Sequence, residues 1–274
     1  MIAARQIAFG RSSRKKEEPP AYWGLCFTAE EDGATIGMQA VNSAPAVTLE
    51  TSYDGDAWEP FYVGETSIAL KKGERVYFRA GEGGNARTAS SLSNYNNFSI
   101  ADGRVSASGN IESLLNGDSP DSVMSTNNCY TGLFQGCTSL THAPELPATT
   151  LKSSCYSRMF LGCTSLTHAP ELPATILTSR CYANMFQGCT SLTHAPELPA
   201  TTLITGCYSY MFASCSNLNF IECSMADFGS KTSLWVSGVY PTGTFICPTA
   251  LGTNETIKRG TSYCPEGWTV INKD

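Results

Sequence analysis

The chain has 274 residues, which is more than one average domain needs and predicts at least two domains. It is 42% hydrophobic and 15% charged, a composition that excludes a disordered chain, and its 24 glycines show no collagen period. The net charge is −6, and since residues 1–16 contribute +5, the other 258 residues carry −11, which argues against a nucleic-acid-binding body. No apolar run is long enough to span a membrane, and no signal peptide is evident.

Residues 1–20 form a first element of unusual composition. A short apolar and basic stretch passes through Ser, Lys and Glu to a Pro pair. Composition alone is equally compatible with a disordered tail and with a docking peptide followed by a linker.

Residues 21–118 have the pattern of a small all-β domain. The β-prone runs CFTA, AVTLETSY, FYVG, SIAL and RVYFRA are separated by Gly, Asp and Asn turn signals. We interpret this segment as an immunoglobulin-like β-sandwich. Its last part, GRVSASGNIESLLNGDSPDS, predicts a helical or extended link that covers the first edge of the next domain.

Residues 119–223 contain a repeat with a period of 26. Cysteines recur in two series at this spacing, and three of the four units share the sequence GCTSLTHAPELPAT, starting at Gly136, Gly162 and Gly188. A period of 26 lies in the range of leucine-rich repeats, in which each unit adds a strand and a helical segment to a solenoid.

Each unit divides into two predicted elements. Cys155, Met159 and Cys163 fall at i, i+4 and i+8 in CYSRMFLGC, which predicts a helical segment with one apolar stripe. The strand is expected in SLTHAPEL, with Leu140 and Ala143 toward the core and two prolines that keep it short. Equivalent strands should lie about 5 Å apart.

The twelve cysteines are interpreted mainly as a reduced, buried ladder. The two cysteines of one unit would be about 12 Å apart along a helix, too far for a disulfide, whereas bonds between units stay open. Outside the repeats, Cys247 and Cys264 are the pair to check first.

Residues 224–274 are expected to form a small β cap anchored by Trp235, Phe245 and Trp268. The predicted fold class is therefore a multidomain, β-rich chain: a docking peptide (1–20), an immunoglobulin-like β-sandwich (21–118), an α/β leucine-rich-repeat solenoid (119–223) and the cap (224–274).

The repeat units resemble the BspA-type leucine-rich repeats of surface proteins of gut anaerobes and of the phages that infect them. The resemblance covers about residues 123–223, and TSLWVSGVYPTGTF followed by CPEGWTV is similar to the tail that often ends such arrays. The first twenty residues resemble, less specifically, the leaders of phage structural proteins. Together these resemblances imply binding at a surface and attachment to virion proteins through residues of the leader: Arg5, Phe9, Arg11, Arg14, Lys15 and Lys16.

Motifs for catalysis are absent from the sequence. No GxxxxGK[ST], HExxH or GxSxG occurs, so we expect no enzyme and no cofactor. The three histidines occupy one repeat position and could coordinate a metal with Glu145, Glu171 or Glu197, but copying of the repeat explains the column without a ligand. We therefore expect no metal site.

The strand face is the preferred candidate for binding, since solenoids often bind on their concave strand side. Its exposed polar positions are Thr141, His142, Thr167, His168, Thr193 and His194. The alternative is the helix and loop side, where the copies differ most.

These features predict a phage virion surface protein, a fibre or decoration protein, that binds host-envelope or mucosal glycan or protein. A bacterial cell-surface adhesin and a spacer without ligand are the alternatives, and the expected location is the virion or, for an adhesin, the bacterial surface. A homo-oligomer is possible, although the sequence contains no heptad repeat that would predict a coiled-coil trimer.

Overall fold

A computed structural model describes residues 5–6, 24–81, 88–116, 124 and 126–273. This part of the chain is built from β-strands and turns, and its helices are limited to α1 (Ser113–Asn116) and a single 3-10 turn (Thr249–Leu251). The strands, in chain order, are β1 (Arg5–Gln6), β2 (Cys26–Ala29), β3 (Ala34–Val41), β4 (Leu49–Ser52), β5 (Glu59–Phe61), β6 (Thr66–Leu70), β7 (Arg75–Ala80), β8 (Tyr95–Ala101), β9 (Val105–Ser108), β10 (Leu140–His142), β11 (Phe220–Glu222), β12 (Thr244–Pro248) and β13 (Thr269–Lys273).

Two sheets pack against each other in the first part of the chain. One has the strand order β1-β6-β3-β8 and the other has the order β10-β9-β2-β7-β4-β5. Alternate residues face inward, as expected for strands with one buried side. The Phe98 ring of β8 lies 4.9 Å from Phe27 and 5.1 Å from Phe78, between centroids, which joins the two sheets through aromatic contacts.

The repeat units stack so that backbone hydrogen bonds join each unit to the next. Over residues 153–163, alternate N–H groups donate to the following unit, as Tyr156 does to Cys181 and Phe160 does to Met185. The intervening N–H groups donate to the carbonyl three residues earlier, as Met159 does to Tyr156. Each segment is therefore a row of tight turns whose alternate amides form a ladder between units.

The prediction of a helix at CYxxMFxGC is wrong, and the backbone dihedral angles of these segments explain why. Ser154, Arg158 and Gly162 have φ of +55°, +57° and +76°, and the same four-residue rhythm of positive φ recurs in the other units. A left-handed residue at every fourth position interrupts the right-handed conformation that an α-helix needs. The apolar stripe is real, but it belongs to the turns.

Identical side chains form columns through the stack. Phe134, Phe160, Phe186 and Phe212 are stacked with ring centroids 5.4–5.6 Å apart, and the four tyrosines from Tyr130 to Tyr208 form a second column. Phe98 of β8 stacks on Phe134 at 5.4 Å, so the phenylalanine column begins in the four-stranded sheet. The hydrophobic core is accordingly continuous from the first strands to the last.

The cysteine thiols take part in this stacking. All twelve cysteines are buried and free, including Cys247 and Cys264. The Sγ of Cys163 donates to the Phe134 carbonyl of the previous unit at 3.1 Å, and Cys189 and Cys215 repeat the contact one and two units further along. A small side chain with a weak donor therefore fits this position.

The ladder continues beyond the fourth repeat. Residues 231–237 accept hydrogen bonds from Tyr208, Tyr210, Phe212 and Ser214, as a fifth turn segment would. Strands β11, β12 and β13 form a parallel sheet that extends the strand side of the stack. Trp235, Phe245 and Trp268 are buried, as the sequence predicted, although the first of them is part of the turn ladder.

Candidate functional site

The six predicted binding residues come together on one side of the stack, which we call the Thr–His face (Thr141, His142, Thr167, His168, Thr193 and His194). The first pair lies in β10, and His142 and His168 are bridge partners in neighbouring units. Thr167, His168, Thr193 and His194 are exposed, whereas Thr141 is buried. The leucine that precedes each pair is buried, which anchors the face to the core.

Hydrogen bonds orient each imidazole of the Thr–His face. The threonine Oγ1 lies 2.9–3.0 Å from the Nδ1 of the adjacent histidine in all three units. Since the Thr167 hydroxyl donates to the Thr141 carbonyl at 3.1 Å, it accepts from His168 Nδ1, which assigns the proton to Nδ1. In the neutral ring, Nε2 then carries the lone pair and serves as a hydrogen-bond acceptor.

The rings are also held by stacking. His142 and His168 are nearly parallel, with centroids 4.2 Å apart and an interplanar angle of 9°. His194 packs on Phe220 of β11 at 5.2 Å. One face of each of these imidazoles is therefore covered by a neighbouring ring.

An acidic residue that the sequence did not point to belongs to this site. Thr141 Oγ1 lies 2.6 Å from Glu30 Oε1, which is also 3.8 Å from His142 Nδ1. Glu30 follows β2, more than a hundred residues earlier in the chain, so no local motif could reveal the contact. At the opposite end, Lys273 pairs with Glu222 at 2.8 Å.

Two other kinds of site that the sequence raised are a metal site at the histidines and reactive cysteine thiols. Within the described ranges, no group of three His, Cys, Asp or Glu side chains is placed to hold a metal ion. Burial raises the pKa of the Cys137, Cys181 and Cys215 thiols to about 12, so at neutral pH they are protonated and poor nucleophiles.

The proposed attachment residues lie almost entirely outside the described residues. The structure does not describe Phe9, Arg11, Arg14, Lys15 or Lys16. For Arg5 it describes the backbone only. Strand β1 (Arg5–Gln6) pairs in parallel with Thr66 and Ser67 of β6.

Comparisons with protein-family models, curated proteins and solved structures give no significant match. Among the residues that the structure describes, no helix is long and apolar enough to cross a bilayer.

Proposed function

We propose that this chain is a non-enzymatic phage virion surface protein, a fibre or decoration protein, whose Thr–His face binds host-envelope or mucosal glycan or protein. In this proposal the first part of the chain is an immunoglobulin-like sandwich, and the repeats are BspA-type leucine-rich repeats. Support for that assignment comes from the two packed sheets, from the 26-residue period and from the hydrogen bonds between successive units.

The observation that carries the proposal is the threefold repetition of an oriented Thr–His pair on one side of the stack, with two of the three pairs exposed. In each Thr–His pair the threonine hydroxyl bonds the Nδ1 of the histidine, and the first two histidines are bridge partners in neighbouring units. Identical weak subsites on one rigid scaffold raise the affinity for a repetitive target through effective concentration. The exposure of the Thr167–His168 and Thr193–His194 pairs leaves them accessible to such a target.

Location is tested by mass spectrometry of nuclease-treated, gradient-purified particles and of washed cell envelopes from the source culture. Stoichiometric amounts of the chain in the particles support the virion role. Its presence in envelopes alone refutes that role and favours an adhesin.

Attachment is tested by replacing Arg11, Arg14, Lys15 and Lys16 with serine, which leaves the β1 pairing at Arg5–Gln6 in place. The proposal expects this variant to be lost from particles while its melting temperature is unchanged. Incorporation at the level of the unmodified chain would refute docking through the leader.

Binding is tested with the double variant His168→Ala and His194→Ala. Both side chains are exposed, so the variant should fold normally and lose most of its binding to host cells or mucus. If the unmodified chain binds neither cells nor mucus, the spacer alternative is correct.

A further inference from the structure

The Thr–His face continues into the six-stranded sheet on one side. His142 lies opposite Ser106 of β9, Ser106 lies opposite Thr28 of β2, and Thr28 lies opposite Arg75 of β7. The residues next to them in sequence, among them Phe27, Val105 and Val76, are buried in the core. Because side chains alternate along a strand, Ser106, Thr28 and Arg75 point to the outer side, in line with the histidines.

The same row continues on the other side into the last sheet. His194 is bridged to Phe220, Phe220 lies opposite Thr244 of β12, and Thr244 lies opposite Thr269 of β13. His168 and His194 occupy the same position in adjacent units, which are joined near this point by the Ser191 N–H donating to the Thr164 carbonyl. The nine positions from Arg75 to Thr269 therefore form one row across the strands and the bridges between units. At about 4.8 Å per strand, the row is about 38 Å long.

Fixed charge is almost absent from this row. Its only permanently charged member is Arg75, at one end. Two nearby pairs of charges neutralise each other, Arg104 with Glu31 and Lys273 with Glu222, each at 2.8 Å. Glu30, which accepts a hydrogen bond from Thr141, adds a single carboxylate beside His142. The remaining groups are hydroxyls, imidazole edges and one phenylalanine.

We propose that the whole row binds a single linear, uncharged polysaccharide chain laid across the strands. Hydroxyl and imidazole groups match the hydroxyls of sugars, and a sugar residue in an extended chain advances by about one strand spacing. The net negative charge of the protein disfavours a polyanion, and an extended peptide would add to a sheet edge rather than lie across a face. This inference rests on the proposed function of the Thr–His face, and it extends the site to strands on both sides.

The class of ligand is tested with host envelopes treated either with periodate, which cleaves vicinal diols of sugars, or with proteinase. Binding of the full chain should be lost after periodate, be retained after proteinase, and reside in the neutral polysaccharide fraction. Loss of binding after proteinase, or binding to the anionic fraction, overturns the inference.

The extent of the site is tested with size fractions of that neutral polysaccharide. Affinity should rise with chain length up to about eight sugar residues and then level off, because the row spans eight strand spacings. Affinity that is already maximal at three residues would confine the site to the Thr–His face and overturn the inference.

Two double variants test the extensions, with a matched control. One double variant combines Thr28→Ala with Ser106→Ala, and the other combines Thr244→Ala with Thr269→Ala. Each should weaken binding of the eight-residue fraction at least about tenfold and leave binding of the three-residue fraction unaffected. The control is Thr35→Ala with Ser99→Ala on the outer side of β3 and β8, across the core from the row.

The outcomes separate this inference from the proposed function. If the histidine variant abolishes binding to envelopes and neither extension variant has an effect, the Thr–His face binds alone and the longer site is wrong. If the variant with His168→Ala and His194→Ala binds envelopes as well as the unmodified chain does, both the proposed function and the longer site are wrong.

Discussion

Raising the pH should unfold this protein, because its buried thiols resist ionisation. The pKa values of eleven cysteines are raised from their ordinary value near 9, with desolvation as the largest cause in every case. Cys137 and Cys215, for example, reach about 12. The folded protein therefore keeps these protons at a pH where the unfolded chain has lost them.

The direction and size of the effect follow from proton linkage. For an acid whose folded pKa is raised, the stability is complete below the unfolded pKa and is lost as the pH rises toward the folded value. At pH 10, a thiol whose folded pKa is about 11 or 12 lowers the free energy of unfolding by about 1–2 kcal/mol. Six thiols have such values, and together they remove on the order of 10 kcal/mol, which is comparable to the whole stability of a typical domain; they belong to Cys137, Cys181, Cys207, Cys215, Cys247 and Cys264.

The assay is urea unfolding followed by tryptophan fluorescence, with a reducing agent present, at intervals from pH 7 to pH 10.5. The free energy of unfolding should be nearly constant up to about pH 8, fall steeply above pH 9 and vanish before pH 10.5. As a control, Cys163→Ala with Cys189→Ala removes two titrating groups and should make the decline shallower. A free energy that stays constant to pH 10.5, or the same slope in the control, would contradict a linkage between folding and thiol protonation.

Three further predictions concern the stack itself. Gly188 and Ser214 occupy equivalent positions and both have left-handed backbones, at φ +76° and +62°. Gly188→Ser should therefore lower the free energy of unfolding by about 1 kcal/mol, and Ser214→Gly should raise it by a few tenths of a kcal/mol. Urea titrations in which both variants change the free energy of unfolding in the same direction would contradict this reasoning. Phe160→Ala should cost about 3–5 kcal/mol, because the ring is buried between two others, and a loss below about 1 kcal/mol in calorimetry would argue against a closely packed column. The Asn254 side-chain amide bonds both the N–H and the carbonyl of Val270 in the last strand, so Asn254→Ala should destabilise the fold by about 1–3 kcal/mol and leave a strand edge open to association. If light scattering gives the mass of a monomer at all concentrations, this edge is closed by other means.

Much of the repeat region could be predicted because its information is local and copied. The period of 26 required Leu140, Leu166 and Leu192 to occupy equivalent buried positions, and it aligned the three histidines in one column. The burial of Trp235, Phe245 and Trp268 followed from their apolar size.

The conformation of the CYxxMFxGC segments could not be predicted in this way. Apolar residues at i, i+4 and i+8 satisfy the spacing of a helix, but they satisfy a row of tight turns equally well. The difference is made by amides such as those of Tyr156 and Phe160, which bond to the next unit and so are not available to a helix. A pattern within one unit contains no information about hydrogen bonds between units.

The sequence by itself determined the period, the buried columns and the residues of the Thr–His face, because each of these follows from what is repeated in the chain. Only the tertiary structure decided that β9 pairs with β10, that Glu30 reaches Thr141, and that Ser106 and Thr28 continue the row of histidines. Strand register and contacts between residues far apart in sequence depend on how the sheets pack, and no short-range pattern encodes them.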